Sequence, residues 1–265
     1  MKTGFIGCGN MGGTLAAAAA KAVGGQDILL YDPDSSKTEA LRNAYGCVIT
    51  DLETLAAESS VIFLGVKPQV LRSAAAELRP LLGRRADKPL IVSMAVGVTA
   101  ASVSEMLDGA RVMRIMPNIP VAVGAGVIFY ATDGGATAAD VEVFTRLMDG
   151  AGILLEIPES KIDAGSALTS CGPAFVCLFA EAMTDAGIRL GFTHEDAQRL
   201  SLQMIHGTAK YSLDTGKEPA AFRAAVCSPA GSTIEGIAVL EKAGVRAAIM
   251  EAVQTSYERN LALGK

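Results

Sequence analysis

A chain of 265 residues, half of them apolar, has room for one large or two ordinary domains, and its formal charge of −5 comes from 23 basic and 28 acidic residues mixed along its length, with no cationic run to attract nucleic acid. Five cysteines, at positions 8, 47, 171, 177 and 227, form no C-x-x-C pair and leave an odd count, so neither a disulfide framework nor a zinc site is expected and no metal is assigned. Met1 and Lys2 lead straight into a short apolar strand and no apolar run reaches about 18 residues, so the expectation is a cytoplasmic, reduced protein with small-molecule partners and no membrane segment.

From the N-terminus, "TGFIG", "DILLY", "CVIT", "VIFLGV", "PLIVSMAV", "RVMRIM" and "GVIFYA" predict strands that alternate with helical patterns, which implies a parallel, doubly wound α/β sheet. Between the first two, the Ala-rich "TLAAAAAKA" predicts a helix packed closely on its neighbours. After "GILLEIPES" the strand signals stop, and the rest is almost continuously helical, broken at "SCGP", "RLGFTHED", "DTGKEP" and "CSPAGS". The expected division is a dinucleotide-binding domain over residues 1–158 and a helical one over 159–265. Segments 171–191 and 196–213 carry Ala- and Met-rich apolar faces too broad for one small domain to cover, which predicts a homodimer or a larger homo-oligomer.

The first predicted strand runs into Gly7, Gly9 and Gly12 in G-x-G-x-x-G spacing and then into a helix, the order of a Rossmann-like phosphate turn. Gly7 permits the tight turn, Gly9 the approach of a pyrophosphate, and Gly12 close packing of helix on sheet, while the helix N-terminus presents N–H groups. Asp32 ends the second strand twenty residues beyond Gly12, where a carboxylate accepts hydrogen bonds from a ribose 2′-hydroxyl and repels a 2′-phosphate. No arginine adjoins it and Lys37 falls inside the next helix, so the lean within NAD(P)H is to NADH. Asp32 followed by Pro33 also reads as a plain turn, and Lys67, taken alone, as a solvated loop lysine.

Near the C-terminus "VCSPAGSTIEG" places Ser232 and Glu235 in S-x-x-E spacing, a capping box that starts a helix, and such a start is also a site for a small carboxylate. Other polar residues have plain readings: Thr193 caps a helix with His194 in its first turn, His206 lies on an amphipathic helix, and Cys171 and Cys227 are small apolar filler.

"GFIGCGNM", "VKPQ" at 66–69, "MPNIP" at 116–120, "SCGPAF" at 170–175 and "CSPAGSTI" at 227–234 occur together in this order, and the set resembles the Δ1-pyrroline-5-carboxylate reductase family over essentially the whole chain. That family reduces a cyclic imine to L-proline with a nicotinamide cofactor. The resemblance implies that the turn at Ile6, Gly7, Cys8, Gly9, Asn10 and Met11 holds the pyrophosphate. It implies that Val66, Lys67 and Pro68 line the cofactor, that Met94, Ala95 and Val96 border the nicotinamide, and that the helical domain dimerises. On the substrate side it implies that Thr233 contacts the ring nitrogen as the catalytic residue, that Ser228, Gly231 and Ser232 cradle the carboxylate with it, and that Glu159 lies near the substrate. An iminium carbon accepts hydride without an activated nucleophile, so positioning is the main task and the proton is assigned to solvent.

The chain departs from the family pattern at Ala230, where a first glycine usually precedes Gly231, at Ile119, usually threonine, and at Cys171, usually serine. These departures bear on exact substrate and rate. A β-hydroxyacid dehydrogenase would carry a lysine on the first long helix of its second domain, and "SCGPAFVCLFAEAMTDAG" has none. A non-catalytic cofactor-binding protein is the rival of another class.

Overall fold

The computed structural model describes residues 1–263. Contacts group the chain into two compact units, Met1–Ser170 together with the chain from Ser256 onward, and Cys171–Thr255. The first unit holds, among the described residues, an eight-stranded sheet: β1 Lys2–Ile6, β2 Ile28–Tyr31, β3 Val48–Ile49, β4 Ser59–Leu64, β5 Leu90–Ser93, β6 Val112–Pro117, β7 Gly126–Gly134 and β8 Gly152–Glu156. Its spatial order is β3-β2-β1-β4-β5-β6-β7-β8, so the chain winds outward from β1 in one direction and then from β4 in the other.

Alternate side chains of each strand enter opposite cores, which is why the strands read as unbroken apolar runs. Phe5, Leu30, Phe63 and Val92 face helices α1 Asn10–Val23, α2 Ser35–Tyr45 and α6 Ala138–Leu147 through Leu15, Leu41 and Phe144. Their neighbours Ile6, Leu29, Ile62, Leu64 and Ile91 face α3 Leu52–Glu58, α4 Pro68–Leu82 and α5 Ala100–Met106 through Leu55, Leu71, Leu78 and Val103. Phe5 and Phe63 stack at 4.4 Å between centroids and tie β1 to β4 at the centre of the first core.

The expectation of parallel strands throughout needs one correction. β1 to β6 are parallel, but β7 runs antiparallel to β6, and β8 is parallel to β7. A parallel return needs a crossover of about a dozen residues or more. The 118–125 connection supplies only the short 3-10 helix Ile119–Val123, so the chain turns back. From β7 to β8, α6 provides the crossover and the parallel relation is restored.

A further helix of the first unit, α7 Ile162–Thr169, packs on β6 and β7. The second unit contains α8 Gly172–Arg189, α9 His194–Thr215, α10 Pro219–Val226 and α11 Ser232–Lys242, and α12 Val245–Leu263 begins in it. Thr193 caps α9 as expected, accepting from the Asp196 N–H at 3.1 Å and donating to its carboxylate at 2.8 Å. His194 and His206 are exposed. α10 and α11 bury no residue, while Leu213 is 74% and Val239 67% exposed, so these helices keep apolar surface that one chain leaves uncovered.

The helical stretch Glu159–Arg189 is long and apolar enough to cross a membrane by length and composition alone, although Ser170 and Cys171 break it between α7 and α8. Near the end of α12, the buried Asn260 donates to the Asp163 carbonyl at 3.2 Å and fixes the last helix to α7.

Candidate functional site

The residues expected around a cofactor gather at the C-terminal ends of β1, β2, β4 and β5, the edge of an open α/β sheet where ligands bind. Gly7 turns the chain out of β1, and its N–H donates to the Tyr31 carbonyl at 2.8 Å. α1 then begins at Asn10 with Gly9 as its N-cap, with no side-chain cap and no acid in its first turn. Its first-turn N–H groups therefore have neither an intrahelical partner nor a capping oxygen.

The two later glycines differ in what surrounds them. A Cβ on Gly12 would lie 2.0 Å from the Gly7 carbonyl oxygen, so that glycine is required for α1 to sit against the turn. A Cβ on Gly9 would meet nothing within 4 Å. Space thus lies open in front of the uncapped helix end, and the residues present fit a pyrophosphate. Cys8, inside the turn, is buried; burial first, and the Asp32 carboxylate second, push its thiol up to about 12, so it stays protonated at neutral pH and is no nucleophile.

Asp32 follows β2 and its side chain is 8% exposed. One carboxylate oxygen accepts from the Cys8 N–H at 2.8 Å; the other accepts from the Asp34 N–H at 2.9 Å and from the Lys37 ammonium at 3.3 Å. Here the sequence reading is corrected, because Lys37 had been set aside as part of the following helix. A helical side chain points back toward the helix N-terminus, so from the first turn of α2 Lys37 reaches Asp32, with Asp34 at 3.5 Å. The hydrogen bond to Asp32 holds the Lys37 ammonium above its ordinary range.

Val66 and Lys67 lead into α4, whose first residue is Pro68 and whose N-cap, Lys67, makes no side-chain cap. Met94 and Ala95 are buried beyond β5, and Val96 packs on a small cluster of Met116, Phe129 and Ile162. The loop that these three residues begin ends at Thr99, which caps α5 through the Ser102 N–H at 3.1 Å.

Ser228, Gly231, Ser232 and Thr233 form a group of their own in the second unit. The expected capping box is absent: α11 starts at Ser232 itself, with Gly231 as N-cap and no side-chain cap. Ala230 causes the difference, since its φ of 55° curls the chain so that the Gly231 N–H returns to the Ser228 carbonyl at 3.1 Å. The Gly231 N–H is thereby used, while the exposed hydroxyls of Ser232 and Thr233 make no hydrogen bond among the described residues. A Cβ on Gly231 would lie 2.3 Å from the Ser228 hydroxyl oxygen, so the bare glycine lets that hydroxyl lean over the helix start.

Glu159 belongs to the first unit, and its carboxylate accepts from the Ala100 N–H at 2.7 Å and pairs with Arg114 at 3.5 Å. Arg114, on β6, is 2% exposed and donates also to Asp163 at 2.8 Å. Sequence reasoning passed over Arg114 and left Lys37 out of the site. The signal for Arg114 was a lone cation in the apolar run "RVMRIM", because an arginine is seldom fully buried without partners.

Two family descriptions match the chain in succession: NADP oxidoreductase, coenzyme F420-dependent, over residues 2–97, and pyrroline-5-carboxylate reductase dimerisation over 159–263. A pyrroline-5-carboxylate reductase of Methanosarcina acetivorans is 36% identical over 100% of this chain and 98% of its own. Two solved structures are similar throughout. A pyrroline-5-carboxylate reductase from Coxiella burnetii has TM-score 0.91 and 29% identity, and the Plasmodium falciparum pyrroline carboxylate reductase with NADP bound has TM-score 0.87 and 28% identity; each comparison covers 100% of this chain and 98% of the other. With the uncapped glycine turn at one end of the chain and the serine and threonine loop at the other, this full-length similarity is decisive: the chain belongs to the pyrroline-5-carboxylate reductase family.

Proposed function

We propose that the protein reduces Δ1-pyrroline-5-carboxylate to L-proline by hydride transfer from NAD(P)H. The observation that carries this reading is the uncapped N-terminus of α1 behind an open Gly9, in a chain of this family. When bound, the dinucleotide supplies the hydride. The protein's residues hold and orient: first-turn N–H groups of α1 receive the pyrophosphate, Val66, Lys67 and Pro68 line the dinucleotide, and Met94, Ala95 and Val96 form the nicotinamide border.

On the substrate side, the hydroxyls of Ser228 and Ser232 and the first-turn N–H groups of α11 cradle the carboxylate, and the Thr233 hydroxyl orients the ring nitrogen. Hydride adds to the imine carbon, the C=N π pair moves to nitrogen, and the proton on that nitrogen comes from solvent. At its ordinary acidity a threonine hydroxyl is not a strong general acid, so orientation is the role that suits it.

Within NAD(P)H we read NADH as accepted at least as well as NADPH, on the strength of the Asp32 carboxylate. Lys37 at 3.3 Å moderates that preference, because its ammonium is the nearest counter-charge for a 2′-phosphate. The division of labour is cofactor binding over residues 1–158 and substrate binding with self-association over 159–265. The reading includes a cytoplasmic homo-oligomer with no nucleic-acid or membrane partner, supported by the mixed charge and by the uncovered apolar faces of the helical unit. The test is oxidation of NADH and of NADPH in the presence of pyrroline-5-carboxylate, with proline as product. Cofactor binding without turnover of this imine would overturn it.

A further inference from the structure

We infer that Glu159 is a positioning residue for the nicotinamide-bordering loop, held in place by the buried Arg114 and acting through the first N–H of α5. The inference rests on the reading that Met94, Ala95 and Val96 border the nicotinamide.

Arg114 is 2% exposed and meets two carboxylates, Asp163 at 2.8 Å and Glu159 at 3.5 Å. For a buried guanidinium the shorter pair to Asp163 is the main compensation, and Asp163 serves the fold directly, from the first turn of α7. Glu159 has a different reach. Of the three it is the one that hydrogen-bonds to α5, where its carboxylate takes the Ala100 N–H at 2.7 Å, across 59 residues of sequence.

Two partners fix Glu159. Its own N–H donates to Asp133 at 3.1 Å, and Arg114 fixes its carboxylate. What the side chain then holds is the far end of the loop that starts at Met94. The near end is set by β5 and by the buried Ala95, the middle by Val96 on Met116, Phe129 and Ile162, and the far end by the Thr99 cap together with Glu159. A loop of six residues pinned at both ends and in its middle has little freedom, and such stiffness is what hydride transfer requires of the surface behind a nicotinamide. Glu159 thereby enters the reaction from the cofactor side, without contact to the imine.

The test uses the full-length enzyme and three variants, Glu159→Ala, Glu159→Gln and Asp163→Asn. NADH dissociation constants are measured without substrate from the fluorescence of the bound reduced cofactor. Hydrogen exchange is followed over residues 94–100, and kcat and the imine KM come from steady-state rates. Glu159→Ala is expected to speed exchange in that segment, weaken NADH about threefold to tenfold and lower kcat about tenfold, with the imine KM within about twofold.

Glu159→Gln keeps an acceptor oxygen for the Ala100 N–H and is expected to restore most of the loss; it also keeps the test open if the alanine variant does not accumulate. Asp163→Asn is expected to lower the melting temperature and leave NADH affinity unchanged. A raised imine KM with normal NADH affinity and exchange would make Glu159 a substrate contact and overturn the inference. So would an Asp163→Asn variant that loses NADH affinity as much as Glu159→Ala, since the effect would then be general loosening. NADH affinity and exchange are read without imine, so a wild-type enzyme that fails to turn over pyrroline-5-carboxylate would defeat the proposed function alone.

Discussion

Thr233 is the residue at which support of the helix and chemistry separate most cleanly. Because Gly231 occupies the cap position and Thr233 caps nothing, Thr233→Ala is expected to shift the melting temperature by no more than about 2 °C. Its loss of kcat/KM should nonetheless be about 10- to 100-fold, with Thr233→Ser recovering most of it, which steady-state kinetics beside a thermal melt will check. Lys37 makes a second case. Removing its ammonium leaves the Asp32 carboxylate without its cation, so Lys37→Ala should reduce kcat/KM with NADPH about tenfold or more and change that with NADH by less than about threefold. Equal losses with both cofactors would show that Lys37 does not face the 2′ position. The places of Asp32 and the turn glycines, after β2 and between β1 and α1, were legible in the sequence from their spacing. Lys37 and Arg114 were not, since each acts through a side chain that travels away from its own backbone position.

At the level of single elements, α1 tests whether the glycine turn is read correctly, because its two critical glycines fail for different reasons. Gly9→Ala places a methyl in open space at an ordinary φ of −68°, so the fold should keep its melting temperature while cofactor affinity falls about tenfold or more. Gly12→Ala forces a carbon to within 2.0 Å of the Gly7 carbonyl oxygen and should destabilise the unit by about 2 kcal/mol or more. Thermal melts and cofactor titration of the two variants should therefore give opposite patterns. Strands were legible as apolar runs bounded by turn residues, but the reversal of β7 was hidden, since strand direction depends on what the connection can span. Near α11 the S-x-x-E pattern misled for a related reason. It counts residues and cannot see that Ala230 adopts a left-handed conformation, which moves the cap one place back to Gly231. Ala230→Gly should relieve that conformation and raise stability by about 1 kcal/mol, visible as a higher melting temperature.

For the molecule as a whole, α10 and α11 bury nothing and many apolar residues of α8 and α9 are open to solvent in the single chain, which suits the dimerisation description matched over residues 159–263. Family and surface agree on a homo-oligomer. Val239→Lys, at a position 67% exposed in the single chain, should thus behave as a core substitution, lowering the melting temperature and shifting the mass seen by light scattering toward the monomer. A change that leaves both untouched would place the contact surface elsewhere on the helices. The breadth of these apolar faces was legible from the Ala- and Met-rich segments, whereas the return of α12 was not, because nothing in its composition marks Asn260 as a residue of the other unit. That return has a consequence for how the fold closes. The Asn260 bond to the Asp163 carbonyl lies on α7, whose Asp163 side chain also pairs with Arg114 of β6, so the sheet is tied through α7 to α12. The tie joins positions 97 residues apart with the whole helical unit between them, so closing it costs more loop entropy than the short crossovers of the sheet, which form without it.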